Sequence, residues 1–155
     1  MSKSNDIHRC IFTTIRHLGR LDVVISNKGW TSMRNFAYLD DNMIESEWDT
    51  CFKINAKSRL HLFHAVRSYL IATKGALVSV ASLAGVIPSG SSIPYSVTKA
   101  AQIHLNKILA KISGPEIRVN SVCPGILLTV STKHSSLCLE HALCGEGKLL
   151  CETPC

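Results

Sequence analysis

Ser82-Leu-Ala-Gly-Val-Ile-Pro-Ser-Gly-Ser-Ser-Ile-Pro-Tyr95-Ser-Val-Thr-Lys99 lies between an apolar run and a segment of helical period. The run before it, Gly75-Ala-Leu-Val-Ser-Val-Ala81, predicts a buried parallel strand ending at Ser82. After Pro94, apolar residues at Val97, Ala101, Leu105, Ile108 and Ile112 predict a helix from Tyr95 to Ser113, stopped by Gly114-Pro115. Tyr95 and Lys99 stand four apart, so both project from one face of the first turn. A loop folded back over that turn brings Ser82, at the carboxyl end of the strand, to the pair.

Those three residue types offer a specific chemistry. A phenol has a pKa near 10, too high for acid–base work at neutral pH. A neighbouring ammonium such as Lys99 favours the phenolate and is expected to lower that pKa. A serine hydroxyl beside the phenol hydrogen-bonds a substrate oxygen as it gains or loses a proton. Together they suit carbonyl/alcohol interconversion next to a hydride carrier. Alone, Tyr-x-x-x-Lys is common on exposed helices and carries no chemistry.

Other pieces stand in order around it: Gly19-Arg-Leu-Asp-Val-Val-Ile-Ser-Asn27-Lys-Gly29, Asn55 within a long helical segment, and Arg118-Val-Asn-Ser-Val-Cys-Pro124-Gly125 with Thr129. With Ser82, Tyr95 and Lys99, these make residues 5–130 resemble the short-chain dehydrogenase/reductase family. The resemblance implies an α/β fold, a partial Rossmann-like doubly wound parallel sheet, and NAD or NADP as cofactor. It makes Tyr95 the general acid/base, Lys99 its partner and holder of the nicotinamide ribose, Ser82 the donor to the substrate oxygen, and Asn55 the organiser of a proton relay. It places Asn27 and Gly29 against the adenosine half of the cofactor. Pro124, Gly125, Ile126 and Thr129 fall beside the nicotinamide carboxamide. The substrate would be a small carbonyl or alcohol, and the 46–72 helix would pack against its twin in a homo-oligomer.

Composition bounds the class. The chain has 155 residues, is 46% hydrophobic and 18% charged, and so reads as one globular domain over 1–130 with a tail at 131–155. Its net charge of +6 comes from scattered Lys and Arg, with few aromatics, which argues against a nucleic-acid partner. The N-terminus lacks an apolar signal core and no run is long enough to span a membrane, so a cytoplasmic location is expected. Four of the seven cysteines crowd into residues 138–155 and would be free thiols in a reducing compartment.

Taken in order, residues 4–18 predict an amphipathic helix with Ile7, Ile11, Ile15 and Leu18 on one face, capped by Ser4 or Asn5 and ended by Gly19. Leu21 to Ser26 reads as a buried strand of an all-parallel sheet. Residues 30–45 read as an irregular connection. Ser46-Glu-Trp-Asp opens a helix running to Ala72, with Trp48, Phe52, Leu62, Phe63, Val66 and Leu70 as its apolar surface. His61 and His64 lie three apart on it without a third ligand at a suitable offset, so no metal is expected. Ile117 to Cys123 predicts a third strand, and strand–helix alternation predicts right-handed crossovers.

Two departures from the family's pattern bear on function. No glycine precedes Gly19, so the Gly-rich turn that cradles a pyrophosphate at a helix N-terminus is missing from this sequence. Lys28 stands where the family has a small Ala, and either crowds the dinucleotide or reaches its phosphates. The expectation is a truncated oxidoreductase that keeps its active-site half and whose activity is weak or absent. The strand at 21–26 would be left as an apolar edge. The alternative is a non-catalytic fragment acting by protein–protein pairing. A third reading, metal binding by the Cys-rich tail, lacks the paired Cys spacing of structural zinc sites.

Overall fold

A computed structural model describes residues 4–125 of the chain. Ile126, Thr129 and the Cys-rich tail at 131–155 lie outside the described residues. The elements run α1 (Ser4–Leu18), β1 (Val23–Ser26), α2 (Glu45–Cys51), a π-helical stretch (Phe52–Lys57), α3 (Ser58–Thr73), β2 (Ala76–Val80), α4 (Ile93–Ser113) and β3 (Arg118–Val122). Short 3-10 turns stand at Asp40–Asn42 and Leu83–Gly85. The three strands are parallel in the order β1-β2-β3, with Val24, Leu77 and Val119 in one row and Ser26, Ser79 and Ser121 in another.

The core lies on one face of this sheet. Ile7 and Ile11 of α1, Phe63, Val66 and Leu70 of α3, and Leu109 of α4 pack on Leu77, Ile117 and Val119, with Val24 against them. Each such side chain contributes roughly 1.5–3 kcal/mol by leaving water. The helices therefore share the face that carries Val24, Leu77 and Val119. The N–H of Gly19 closes α1 on Ile15 O at 2.9 Å, with the glycine at φ 74°, where a Cβ would be strained.

Three expectations need correction. Residues 21–26 read as a buried strand, but Val23 and Ile25 are 52% and 67% exposed. They point to the face that no described residue covers; among the described residues β1 pairs only with β2, which agrees with the apolar edge expected for this strand. Leu18 is 70% exposed, since α1 reaches the core through Ile7, Ile11 and Ile15 alone.

The third correction concerns α4. The stripe Val97, Ala101, Leu105, Ile108, Ile112 is not its buried face: Val97, Ile108 and Ile112 are exposed, with Ala101 and Leu105 half-buried. The helix buries Pro94, Thr98, Lys99, Gln102, Asn106, Leu109 and Ser113 instead. Lys99, Gln102 and Asn106 meet polar partners on the sheet, while Ser113 Oγ, Gln102 Oε1 and Asn106 Oδ1 have no partner among the described residues. Gln102 Nε2 donates to Ser79 Oγ (2.7 Å) and Val80 O (3.1 Å), and Asn106 Nδ2 donates to Ser121 Oγ (2.6 Å). A polar group is buried cheaply only when its bonds are made.

Candidate active site

The site begins where β1, β2 and β3 end together. A cleft of about 340 Å³ is lined by Asn27, Gly29, Trp30, Thr31, Val80, Ala81, Ser82, Tyr95, Lys99, Pro124 and Gly125. An open parallel sheet has its ligand crevice at this end.

Local structure brings each side chain there. Ser82 follows β2 and caps the 3-10 turn, accepting from Ala84 N–H at 3.2 Å. Leu83 N–H donates to Pro124 O at 2.9 Å, which ties the loops after β2 and β3 together. The turn then lies flat on α4. A Cβ on Gly85 would stand 2.6 Å from the carbonyl carbon of Lys99, so only glycine allows this approach. Ser96 Oγ donates to Ala84 O at 2.6 Å and fastens the same contact. At the start of α4, Ser92 accepts from Tyr95 N–H at 3.3 Å, and Pro94 occupies the first turn, where its missing N–H costs nothing. Asn42, buried in the preceding connection, accepts from Ile93 N–H at 2.8 Å and donates to Asn35 O and Tyr38 O. That one asparagine orders the connection and anchors the helix that presents Tyr95.

Tyr95 and Lys99 share the helix face, with Lys99 Nζ 5.4 Å from the centroid of the Tyr95 ring. Burial raises the Tyr95 pKa above its ordinary value; hydrogen bonding with Ser82 opposes the rise, and Cys51 adds to it. This corrects the expectation that Lys99 lowers it. The ammonium sits over the ring and donates to Val80 O at 3.1 Å, so it does not pair with the phenol oxygen. Lys99 itself is brought down to about 8, first by burial and then by the Arg59 guanidinium.

Asn55 lies beneath the cleft, fully buried in the π-helical stretch. Its Oδ1 accepts from Trp30 N–H at 2.8 Å, and its Nδ2 donates to Trp30 O at 2.9 Å and to Thr98 Oγ1 at 3.1 Å. The side chain thus clamps the turn after β1 to α4. The wider turn of a π stretch at this residue was not legible in the apolar pattern, which predicted one uninterrupted helix.

All of Asn27, Gly29, Ser82, Tyr95, Lys99, Pro124 and Gly125 come together around the cleft. Sequence reasoning missed Trp30 and Thr31 in its wall, and Thr98 and Asn42 behind it. A Trp after Asn-Lys-Gly carries no spacing signal, and the asparagine's role rests on contacts 51 positions apart. His61 and His64 are exposed, and no group of three metal-ligating side chains occurs among the described residues.

Comparison with known proteins agrees with this layout. The model of the family described as short chain dehydrogenase matches residues 1–137. Tropinone reductase-like 3 of Erythroxylum coca is 35% identical over 130 residues, which cover 83% of this chain and 48% of that protein. Among solved structures, NAD+-bound xylitol dehydrogenase superposes with a TM-score of 0.71 at 27% identity, covering 80% of this chain and 47% of that one. ElxO with NADP bound gives 0.76 at 25% identity, covering 85% and 53%. The chain spans about half the length of the curated relatives it matches. Matched by the family model over most of its length, and carrying Ser82, Tyr95 and Lys99 on one cleft, the chain belongs to the short chain dehydrogenases.

Proposed function

We propose that the cleft serves NAD- or NADP-dependent interconversion of a small carbonyl compound and its alcohol. The observation that carries this reading is the meeting of Ser82, Tyr95 and Lys99 at the carboxyl ends of the strands. The residues fit the reactive half of the dinucleotide. Gly29 lacks a side chain where a Cβ would lie 3.5 Å from Lys99 Nζ, which leaves the turn open toward the lysine. Asn27, Gly29, Tyr95, Lys99, Pro124 and Gly125 would hold the nicotinamide and its ribose, with Ile126 and Thr129 assigned to the same group by the family pattern. The bound cofactor would supply or accept the hydride.

The protein's own part is proton handling and orientation. Ser82 Oγ and the Tyr95 phenol bind the substrate oxygen from the same side. A phenol held protonated by burial is in the state that donates a proton to a carbonyl, and its phenolate takes that proton back in the reverse reaction. The Lys99 ammonium, 5.4 Å from the ring centroid, stabilises the phenolate left as that proton departs. Asn55 fixes the floor of the cleft and, by the family pattern, organises the proton path.

A second reading, a non-catalytic fragment that pairs with another protein, is favoured by one observation: Val23 and Ile25 stand exposed on an edge strand. The finer proposals are a homo-oligomer through the 46–72 helix, supported by exposed Leu60 and Tyr69, and a cytoplasmic location, supported by free Cys10, Cys51 and Cys123. Among the described residues no helix is long and apolar enough to cross a membrane.

Fluorescence titration of the purified chain with NADH and NADPH tests the proposal, with Tyr95→Phe as a folding control. Saturable binding supports it. A folded chain that binds neither nucleotide overturns it in favour of the pairing fragment.

A further inference from the structure

Asn55 and Arg59 are four residues apart and face the sheet together from the helix that spans the π stretch and the start of α3. They grip the turn after β1 at two points. Asn55 holds both backbone polar groups of Trp30, and Arg59 Nη1 donates to the hydroxyl of Ser26. Asn27, Lys28 and Gly29 lie between those anchors. Arg59 is only 4% exposed, and its Nε and Nη2 have no partner among the described residues. A buried cation held by a single hydroxyl is an expensive way to fasten a turn, because an apolar side chain of similar volume commonly does it with equal or greater stability.

We infer that Arg59 is a positioning residue of the candidate active site: a fixed, buried cation that anchors the end of β1 through Ser26 and acts electrostatically on Lys99. Both cations close on the same corner of the sheet, Arg59 on the last residue of β1 and Lys99 on the last carbonyl of β2. Ser26 sits in register with Ser79, Ser79 accepts from Gln102, and Gln102 and Lys99 both donate to Val80 O. The groups facing Lys99 are Tyr95 on α4, Cys51 on α2, Cys123 after β3 and Arg59 on α3. None is a carboxylate, so the only fixed charge in the set is positive and disfavours the ammonium. Both residues are pushed down by burial, Arg59 to about 10 and Lys99 to about 8, which leaves the guanidinium charged throughout the range in which the lysine titrates. Lys99 is thereby kept able to take up and release a proton near neutrality.

The inference rests on the reading of Lys99 as a site residue, and its test does not need turnover. The Lys99 Nζ resonance, assigned by its loss in Lys99→Met, is titrated by NMR in the full chain and in Arg59→Met, alongside urea unfolding and NADH titration. The Lys99 midpoint is expected to rise by roughly half to one pH unit, a ~3- to 10-fold change in its proton dissociation constant, with stability unchanged or increased. A folded Arg59→Met with the midpoint unmoved overturns the inference. Arg59→Gln, which keeps a donor for Ser26 without the charge, should give the same rise. If neither variant folds, Arg59 is structural and the inference fails. Absence of NADH binding by the unmodified chain would refute the proposed function alone, since the Lys99 titration is still read.

Discussion

Replacing Asn55 by alanine should destabilise the chain by about 3–6 kcal/mol. Its three hydrogen bonds join elements 25 and 43 residues away in sequence, and the side chain has no contact with water. Each lost bond removes about 1 kcal/mol net, and a donor left buried without an acceptor costs a further ~1–3 kcal/mol. The Trp30 N–H would be that donor. The Trp30 carbonyl fares better, because the Cys51 thiol lies 3.8 Å from it and partly replaces the amide. Thr98→Val is the graded control. It takes away one hydroxyl of the same network and should cost only about 1 kcal/mol. Urea unfolding followed by circular dichroism measures both, provided the slope with denaturant is unchanged. The reasoning is refuted if Asn55→Ala costs less than ~1 kcal/mol, or no more than Thr98→Val. Either result would mean that the turn after β1 finds other partners, and that the clamp does not hold the cleft together.

Other expectations follow from the same geometry. Gly85→Ala places a Cβ 2.6–2.9 Å from three backbone atoms of Lys99 and Ala100, so the Ser82 turn must lift off α4. NADH affinity should weaken together with stability, and an unchanged unfolding midpoint would show that the turn relaxes without cost. Tyr95→Phe should leave folding intact and lower any carbonyl reduction by roughly 10²–10⁴-fold, measured by NADPH oxidation; retained turnover would remove Tyr95 from the chemistry. The depressed Lys99 predicts a pH effect on stability. Between about pH 8 and its unfolded value of 10.5, the unfolded chain binds more protons at this lysine than the folded one, so this group's contribution rises with pH. Burial raises Cys51, Cys123 and Tyr95, which pull the other way above about pH 9. The clean signal is therefore the difference between the chain and Lys99→Met from pH 8 to 9. The chain should gain stability over the variant by about 1 kcal/mol, and a flat difference would place Lys99 in water.

Much of the layout was written in short-range pattern. The run 75–81 became the central strand, Pro94 marked the start of α4 to within two residues, and Gly19 stopped α1, because each of these depends on neighbours within a turn or a strand. The residues brought around the cleft were identifiable because their types and order matched a family. What the pattern could not show were properties that depend on distant partners. Asn42 and Asn55 look alike in sequence, yet both are buried because the backbone groups they satisfy come from 51 and 25 positions away. The Tyr95 ionisation was misjudged for a related reason. Four-residue spacing places Lys99 on the right face but does not say that its ammonium will be drawn down to the Val80 carbonyl.

Helix α4 shows why the hydrophobic rule inverts near a site. A helix usually turns its apolar stripe inward because burying methylenes is the cheapest source of stability. Here Val97, Ile108 and Ile112 face outward, while Lys99, Gln102 and Asn106 face the sheet and Thr98 meets Asn55. The lower half of the helix joins the apolar core through Leu109, with Leu105 and Ala110 packed against it. Along the rest, the row beneath it is Ser79 and Ser121 together with the Val80 carbonyl, each bonded by a side chain from α4. Rotating the helix to bury its stripe would strand those groups and carry Tyr95 and Lys99 away from Ser82. The polar seam therefore fixes the rotation of α4 about its own axis, a choice that hydrophobic packing alone would have made differently. Substituting the seam tests this directly. Gln102→Leu restores an apolar inward face but leaves Ser79 without its partner, so it should loosen the register between Tyr95 and Ser82 more than it changes stability. The readout is NADH affinity against the urea midpoint, and a variant that keeps both unchanged would show that the seam is incidental to the site.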